Sequence, residues 1–230
     1  MIYVALPAVL ESKRSVLSRH FNLENPSPPQ IARLDTLAIY EQAKKYGLTK
    51  DILLFGGQAF NTYFQASRDT VDIDLALNSG KPKGIFAELG YVNAHTRNSE
   101  LKKESYKRKV GNAEVELDVF IPGKTVLGGD VLVDQEMFDR SLTMNYLDIP
   151  MNLCNAVDFV ATKIGAGRAK DYQDVIRTIL GKADEFDKGY AQRRLGKKKE
   201  HLLEAPEHVA STLSHMDAIK YKKAVEELLG

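Results

Sequence analysis

The stretch Leu53–Leu77, LLFGGQAFNTYFQASRDTVDIDLAL, decides how the rest of the chain is read. A short apolar run, Ile52 to Phe55, ends in Gly56-Gly57; a helix-compatible segment follows from Gln58 to Ala66. Arg68-Asp69-Thr70 then leads into Asp72-Ile73-Asp74 inside a second apolar run. Side chains alternate faces along a strand, so Asp72 and Asp74 point the same way, while Val71, Ile73 and Leu75 point the other. Two carboxylates side by side on a rigid strand repel, and a divalent cation with oxygen ligands relieves the repulsion. Glycines without Cβ let backbone amides approach a phosphate, and a helix start behind them favours an anion. The plainer alternative is a strand with two solvent-facing aspartates after a turn.

Downstream, Tyr106 to Val110 and Ala113 to Ile121 flank Gly111-Asn112, which predicts a hairpin. Its second strand carries Glu114, Glu116 and Asp118 on one face and Val115, Leu117 and Val119 on the other. A solvated surface is the better reading for Glu114 and the plainer alternative for Asp118. Upstream, Leu6, Val9, Leu10, Val16 and Leu17 predict one or two short helices within residues 1–24. Three prolines within Pro26 to Pro29 break the chain, Gln30 to Tyr46 predicts an amphipathic helix, and Gly47 stops it. Between the two acidic segments, Lys83 to Leu89 predicts a short helix and Tyr91 to His95 a strand. Thr125 to Val133 and Leu142 to Ile149 predict two more strands around a polar or helical Asp134 to Arg140. Pro150 ends the sheet region in this reading, dividing the chain into 1–150 and a helical 151–230.

The helical part opens with a second cluster of charge, Lys163-Ile-Gly-Ala-Gly-Arg168-Ala-Lys170-Asp171-Tyr-Gln-Asp174. Its cations suit triphosphate oxygens, lysine as a point charge and arginine as a bidentate fork. The plainer reading is an intrahelical ion-pair network. Further on, Arg193, Arg194, Lys197, Lys198 and Lys199 offer either a contact for phosphate backbone or a solvated basic stretch. His201, His208 and His215 recur every seven residues, but Pro206 interrupts them and no carboxylate completes a metal pattern.

Taken together, Gly56-Gly57, the helix-length spacer, Arg68-x-Thr70-x-Asp72-Ile73-Asp74 and the Lys163–Asp174 segment resemble the DNA polymerase β-like nucleotidyltransferase superfamily. The branch they look most like holds the AbiEii and MenT-type toxin nucleotidyltransferases, and the likeness covers about residues 50 to 182. It implies an α/β (α+β) nucleotidyltransferase fold: a small mixed sheet with flanking helices and a C-terminal helical region. It implies transfer of a nucleoside monophosphate from an NTP, ATP among them, to a hydroxyl acceptor, with release of pyrophosphate. Asp72, Asp74 and Asp118 would be the metal ligands for two Mg²⁺ ions, with Mn²⁺ as the alternative; Glu116 is the weaker candidate beside Asp118. Lys163 joins the three aspartates as a catalytic residue, and Gly56, Gly57, Arg68, Thr70, Lys163, Arg168 and Asp171 would meet the nucleotide. Gln58 departs from the small or hydroxylated residue usual after the glycines. The acceptor implied is tRNA or a protein, and a cognate antitoxin is the implied partner. Small-molecule acceptors and a non-catalytic module on the same fold are the alternatives; the Gly-Gly, helix, D-x-D order and the Lys163–Asp171 segment argue against a D-x-D glycosyltransferase.

Composition is consistent with this. The 230 residues, 43% hydrophobic and 27% charged with net charge +1, suit one large or two small globular domains without an overall field for nucleic acid or membrane. A single cysteine, Cys154, permits no internal disulfide and reads as a helix residue in a cytoplasmic protein. No run approaches the roughly 20 apolar residues of a membrane span, and the leading segment lacks the basic region of a signal peptide.

Overall fold

The computed structural model describes residues 6–65, 69–94, 103–124, 126–127 and 131–230. In chain order the elements are α1 (Arg14–Leu17), α2 (Pro28–Lys45), β1 (Ile52–Leu54), α3 (Gly56–Phe64), β2 (Asp72–Leu77), α4 (Lys83–Glu88), β3 (Val92–Asn93), β4 (Lys103–Val110) and β5 (Ala113–Phe120). There follow β6 (Val126–Leu127), β7 (Val131–Leu132), α5 (Gln135–Asp139), β8 (Leu142–Tyr146), β9 (Ile149–Leu153), α6 (Ala156–Ala166), α7 (Ala169–Lys182), α8 (Lys188–Leu195), α9 (Lys199–Glu204) and α10 (His215–Leu229). The chain divides into two compact units, one of Met1–Thr125 with Val133–Cys154, the other of Val126–Leu132 with Asn155–Gly230.

The first unit is a mixed seven-stranded sheet flanked by helices, in the order β3-β4-β5-β2-β1-β9-β8. β2 lies inside it, antiparallel to β1 and parallel to β5. One face is apolar: Ile73, Leu75 and Leu77 of β2 and Val115, Leu117 and Val119 of β5 are all buried, which is what alternation requires of a sheet covered on one side. α2 packs here through Leu34, Leu37 and Ala38, and its Tyr40 hydroxyl donates 2.7 Å to the Asn152 carbonyl of β9. Burying these side chains contributes about 1.5–3 kcal/mol for each large aliphatic or aromatic one.

Several expectations are corrected. α2 begins at Pro28, not Gln30: prolines fit the first turn, where a backbone N–H has no helical acceptor anyway. The segment 142–149 is no single strand; β8 and β9 form a tight hairpin through Leu147 and Asp148, at φ 50° and 61°. Pro150 therefore does not end the sheet but lies inside β9, opposite Asn145. Its missing N–H costs no bond to β1, which meets β9 at Leu54 and Leu153. Cys154 is not helical either; it follows β9, buried, and its N–H donates 3.0 Å to the Leu54 carbonyl. Of the strand expected over 125–133, residues 125 and 128–130 lie outside the described residues; the described ones include two two-residue strands paired with each other, β6 and β7.

The second unit is otherwise helical. Tyr172 of α7 stacks on His208 at 4.2 Å and 7°, so one of the heptad-spaced histidines is a packing residue. No helix among the described residues is long and apolar enough to cross a membrane.

Candidate functional site

The parallel pairing of β2 with β5 sets Asp72 beside Glu116 and Asp74 beside Asp118. Cross-strand neighbours share a face, so four carboxyl groups form a two-by-two block on the face opposite the α2-covered core. Asp72 is exposed, while Asp74, Glu116 and Asp118 are half-buried. Backbone bonds on both sides of β2 hold the block rigid, and Phe55 N–H donates 2.9 Å to the Asp74 carbonyl.

The two glycines stand at the start of α3, in the helix rather than before it as expected. Gly56 has φ +62°, and a Cβ there would overlap Asp74 Oδ2. At Gly57 a Cβ would come within 2.7 Å of Thr70 Oγ1 and 2.8 Å of Thr70 Cβ. The pair is thus required by close packing: the amino end of α3 lies directly against the Asp74 carboxyl group, a favourable place for negative charge. Thr70 packs the turn before β2. Gln58, at 1% exposure, donates 3.3 Å from Nε2 to the Thr70 carbonyl, which accounts for a long amide side chain after the glycines. Arg68 lies outside the described residues.

Asp118 is already engaged. Ser105 Oγ donates 2.6 Å to Oδ1, and Lys103 Nζ pairs with Oδ2. Lys103 and Ser105 come from β4, whose register sets Ser105 opposite Asp118. Next along, Lys107 Nζ pairs with Glu114 at 2.6 Å, so part of the acidic face is neutralised by its own hairpin partner. Sequence reasoning missed Lys103 and Ser105 because it began the hairpin at Tyr106. Counting the pairs outward from Gly111-Asn112 would have found them.

Carboxylate oxygens are the donors that hard cations such as Mg²⁺ and Mn²⁺ prefer, so Asp72 and Asp74 suit such an ion by chemistry. Among the described residues, however, no group of three or more His, Cys, Asp or Glu side chains is placed to hold a metal ion. Asp118 faces a lysine instead of completing a trio.

In the second unit, Lys163 Nζ lies 2.8 Å from Asp171 Oδ1 and 3.2 Å from Asp174 Oδ2. Arg168 Nε sits 2.5 Å from Asp171 Oδ2, with a second contact of 3.2 Å to Oδ1. Asp171 is fully buried: burial alone would raise its pKa, but Arg168 and Lys163 hold it below the ordinary carboxylate value. Gly167, at φ +66°, ends α6 and lets Arg168 cap α7 beside its partner. The arginine side chain stays 60% exposed, whereas that of Lys163 is 9% exposed, so Arg168 is the cation that solvent can reach. A second network was not foreseen: Asp158, fully buried on α6, accepts from Tyr190 Oη at 2.6 Å and pairs with Arg194 Nε at 3.2 Å. Arg193 lies over the Tyr190 ring at 5.5 Å, and Lys198 is buried. Much of the basic stretch is therefore structural.

No family model matches the chain, and no curated protein matches it. Among solved structures it is similar to an antigenic nucleotidyltransferase-like protein from Paracoccidioides brasiliensis, at a TM-score of 0.43 and 18% identity over 76% of this chain and 93% of that one. Likeness at that level leaves the chemistry to be argued from the residues.

Proposed function

We propose that the first unit is a metal-dependent nucleotidyltransferase domain, which transfers a nucleoside monophosphate from an NTP to a hydroxyl group. The observation that carries this reading is the β2–β5 register, which sets Asp72 and Asp74 beside Glu116 and Asp118 against the start of α3. In the transfer, the acceptor oxygen bonds to the α-phosphorus, the bond from that phosphorus to its bridging oxygen breaks, and its electron pair leaves with pyrophosphate. The acceptor proton passes to a carboxylate or to water; Asp118 is the assigned base, held in one orientation by Ser105 and Lys103. Asp72 and Asp74 would hold Mg²⁺ or Mn²⁺; Asp118, which the resemblance makes a ligand of a second ion, would reach it by giving up its pair with Lys103. Such ions, when bound, polarise phosphate oxygens and steady the leaving group. Gly56 and Gly57 bring backbone close to the carboxylates and the nucleotide. Arg68, Thr70, Lys163, Arg168 and Asp171 keep the nucleotide-binding roles that the family resemblance implies, Lys163 through positioning of Asp171. The acceptor is assigned as tRNA or a protein, with a small molecule as the alternative, and a cognate antitoxin as partner.

One observation favours a second reading, a non-catalytic module on the same fold: Lys103 neutralises Asp118. Incubating the protein with each α-labelled NTP and Mg²⁺, with tRNA, cell protein or neither, separates the two. The catalytic reading expects label on one acceptor, lost by at least about 100-fold in the Asp72→Asn/Asp74→Asn double variant, since metal-site charge stabilisation amounts to several kcal/mol. Transfer that survives the double variant, or no transfer and no NTP binding under any condition, would sink it.

A further inference from the structure

A cavity of about 560 Å³ in the first unit uses none of the residues given a role above. Its walls include Arg33 and Gln30 of α2, Asn61 and Gln65 at α3, and Tyr146 at the end of β8. We propose that this cavity binds a nucleoside monophosphate, free or at the end of an oligonucleotide, with its phosphate on Arg33.

Arg33 is 8% exposed, and its Nη1 is buried with no hydrogen-bond partner. It pairs with no carboxylate among the described residues. The contrast with Asp35, two residues on, is direct: that buried carboxylate has both Arg108 and the Tyr91 hydroxyl, the latter at 2.8 Å. A buried guanidinium without an anion is costly, and a phosphate is the anion its planar fork fits best. The Tyr146 ring lies 4.5 Å from the guanidinium carbon and fixes the plane of that fork. The amino end of α2 faces the same cavity and adds a favourable dipole. Because its first two residues are Pro28 and Pro29, it has few N–H groups to give, so the arginine carries the contact.

The remaining walls favour a nucleotide over a bare ion. Asn61 and Gln65, four residues apart, supply carboxamides that can both donate and accept, as a base edge requires. Asp69, exposed on the same wall, can accept from a ribose hydroxyl or a base amino group. The volume lies within the range of roughly 300–1,000 Å³ usual for small-molecule sites.

Calorimetric titration of the full chain tests this with inorganic phosphate, a nucleoside 5′-monophosphate, its parent nucleoside, and a short 5′-phosphorylated oligoribonucleotide with its dephosphorylated twin. The monophosphate is expected to bind at least tenfold tighter than the nucleoside. Arg33→Gln should weaken it tenfold or more, and Arg33→Lys should restore part of the loss. Gln65→Glu, which places negative charge at an exposed wall position, should weaken it severalfold and decides the matter if Arg33→Gln does not fold. Asp72→Asn/Asp74→Asn should bind it as wild type does, which separates this site from the proposed catalytic one. Tighter binding of the phosphorylated oligonucleotide than of the free nucleotide would identify a chain end as the ligand, and the reverse order a free nucleotide. Equal binding of nucleoside and monophosphate, unchanged binding in both Arg33→Gln and Gln65→Glu, or no binding of any probe would overturn the proposal.

Discussion

At Gly56 a single hydrogen atom decides whether α3 can reach β2. The backbone there is left-handed, and the space a methyl would take is filled by Asp74. Gly56→Ala should therefore destabilise the fold by more than about 1 kcal/mol, seen as a lower denaturant midpoint, and should displace Asp74 even where the fold survives. Lys103 is the second decisive residue. As the cation facing Asp118, it competes with any metal for that carboxylate. Lys103→Met should raise Mn²⁺ affinity severalfold, by about 1 kcal/mol, read from the electron spin resonance signal of free Mn²⁺ during titration. Unchanged affinity would mean that the pair has no bearing on cation binding. The sequence made Asp72 and Asp74 legible because alternation along one strand is local. It did not reveal the lysine facing Asp118, because that contact depends on pairing across a hairpin whose first strand is longer than its apolar residues suggest.

Among the elements, β8 and β9 show why a run of strand-forming residues is ambiguous. Leu142 to Ile149 holds neither glycine nor asparagine where a two-residue turn needs positive φ, so the turn through Leu147 and Asp148 left little trace. Leucine in that conformation is strained. Leu147→Asn with Asp148→Gly should raise the melting temperature by several degrees, roughly 1 kcal/mol, without altering the sheet. A fall would show that Leu147 earns its place by packing. Helices were read more faithfully, since their 3.6-residue rhythm persists over many positions; α2 was displaced at its start by two residues only. The Lys163–Asp174 segment was legible as a helix-linked charge cluster, but burial, which no sequence prints, decides that Lys163 is clamped between two carboxylates.

Over the whole molecule, mixed sheet and helical region were both anticipated, and the resemblance implied the Asp118 strand beside the Asp72–Asp74 strand, as β5 lies beside β2; the rest of the strand order was not foreseen. The second unit depends on its buried charges, and that has a pH signature. Asp171 has a lowered folded-state pKa, so its stabilisation is fully present above the usual aspartate value of 3.8 and is lost as pH falls towards the lower folded value. Acid unfolding followed by helical circular dichroism should be less steep below about pH 5 in Asp171→Asn than in wild type. Lys163→Met should cost about 3 kcal/mol at neutral pH by leaving two buried carboxylates short of a cation. The chain also passes into the second unit at Val126, back into the first at Val133, and out again at Asn155. The two units are therefore threaded, not set in tandem. No single cut of the gene separates the two cleanly: a fragment 1–154 keeps the first unit whole but carries 126–132 of the second, and one stopped at 150 would lose most of β9 and the carbonyl that Tyr40 grips. An exchange of one unit for another without any of its neighbour has to replace two separate segments together.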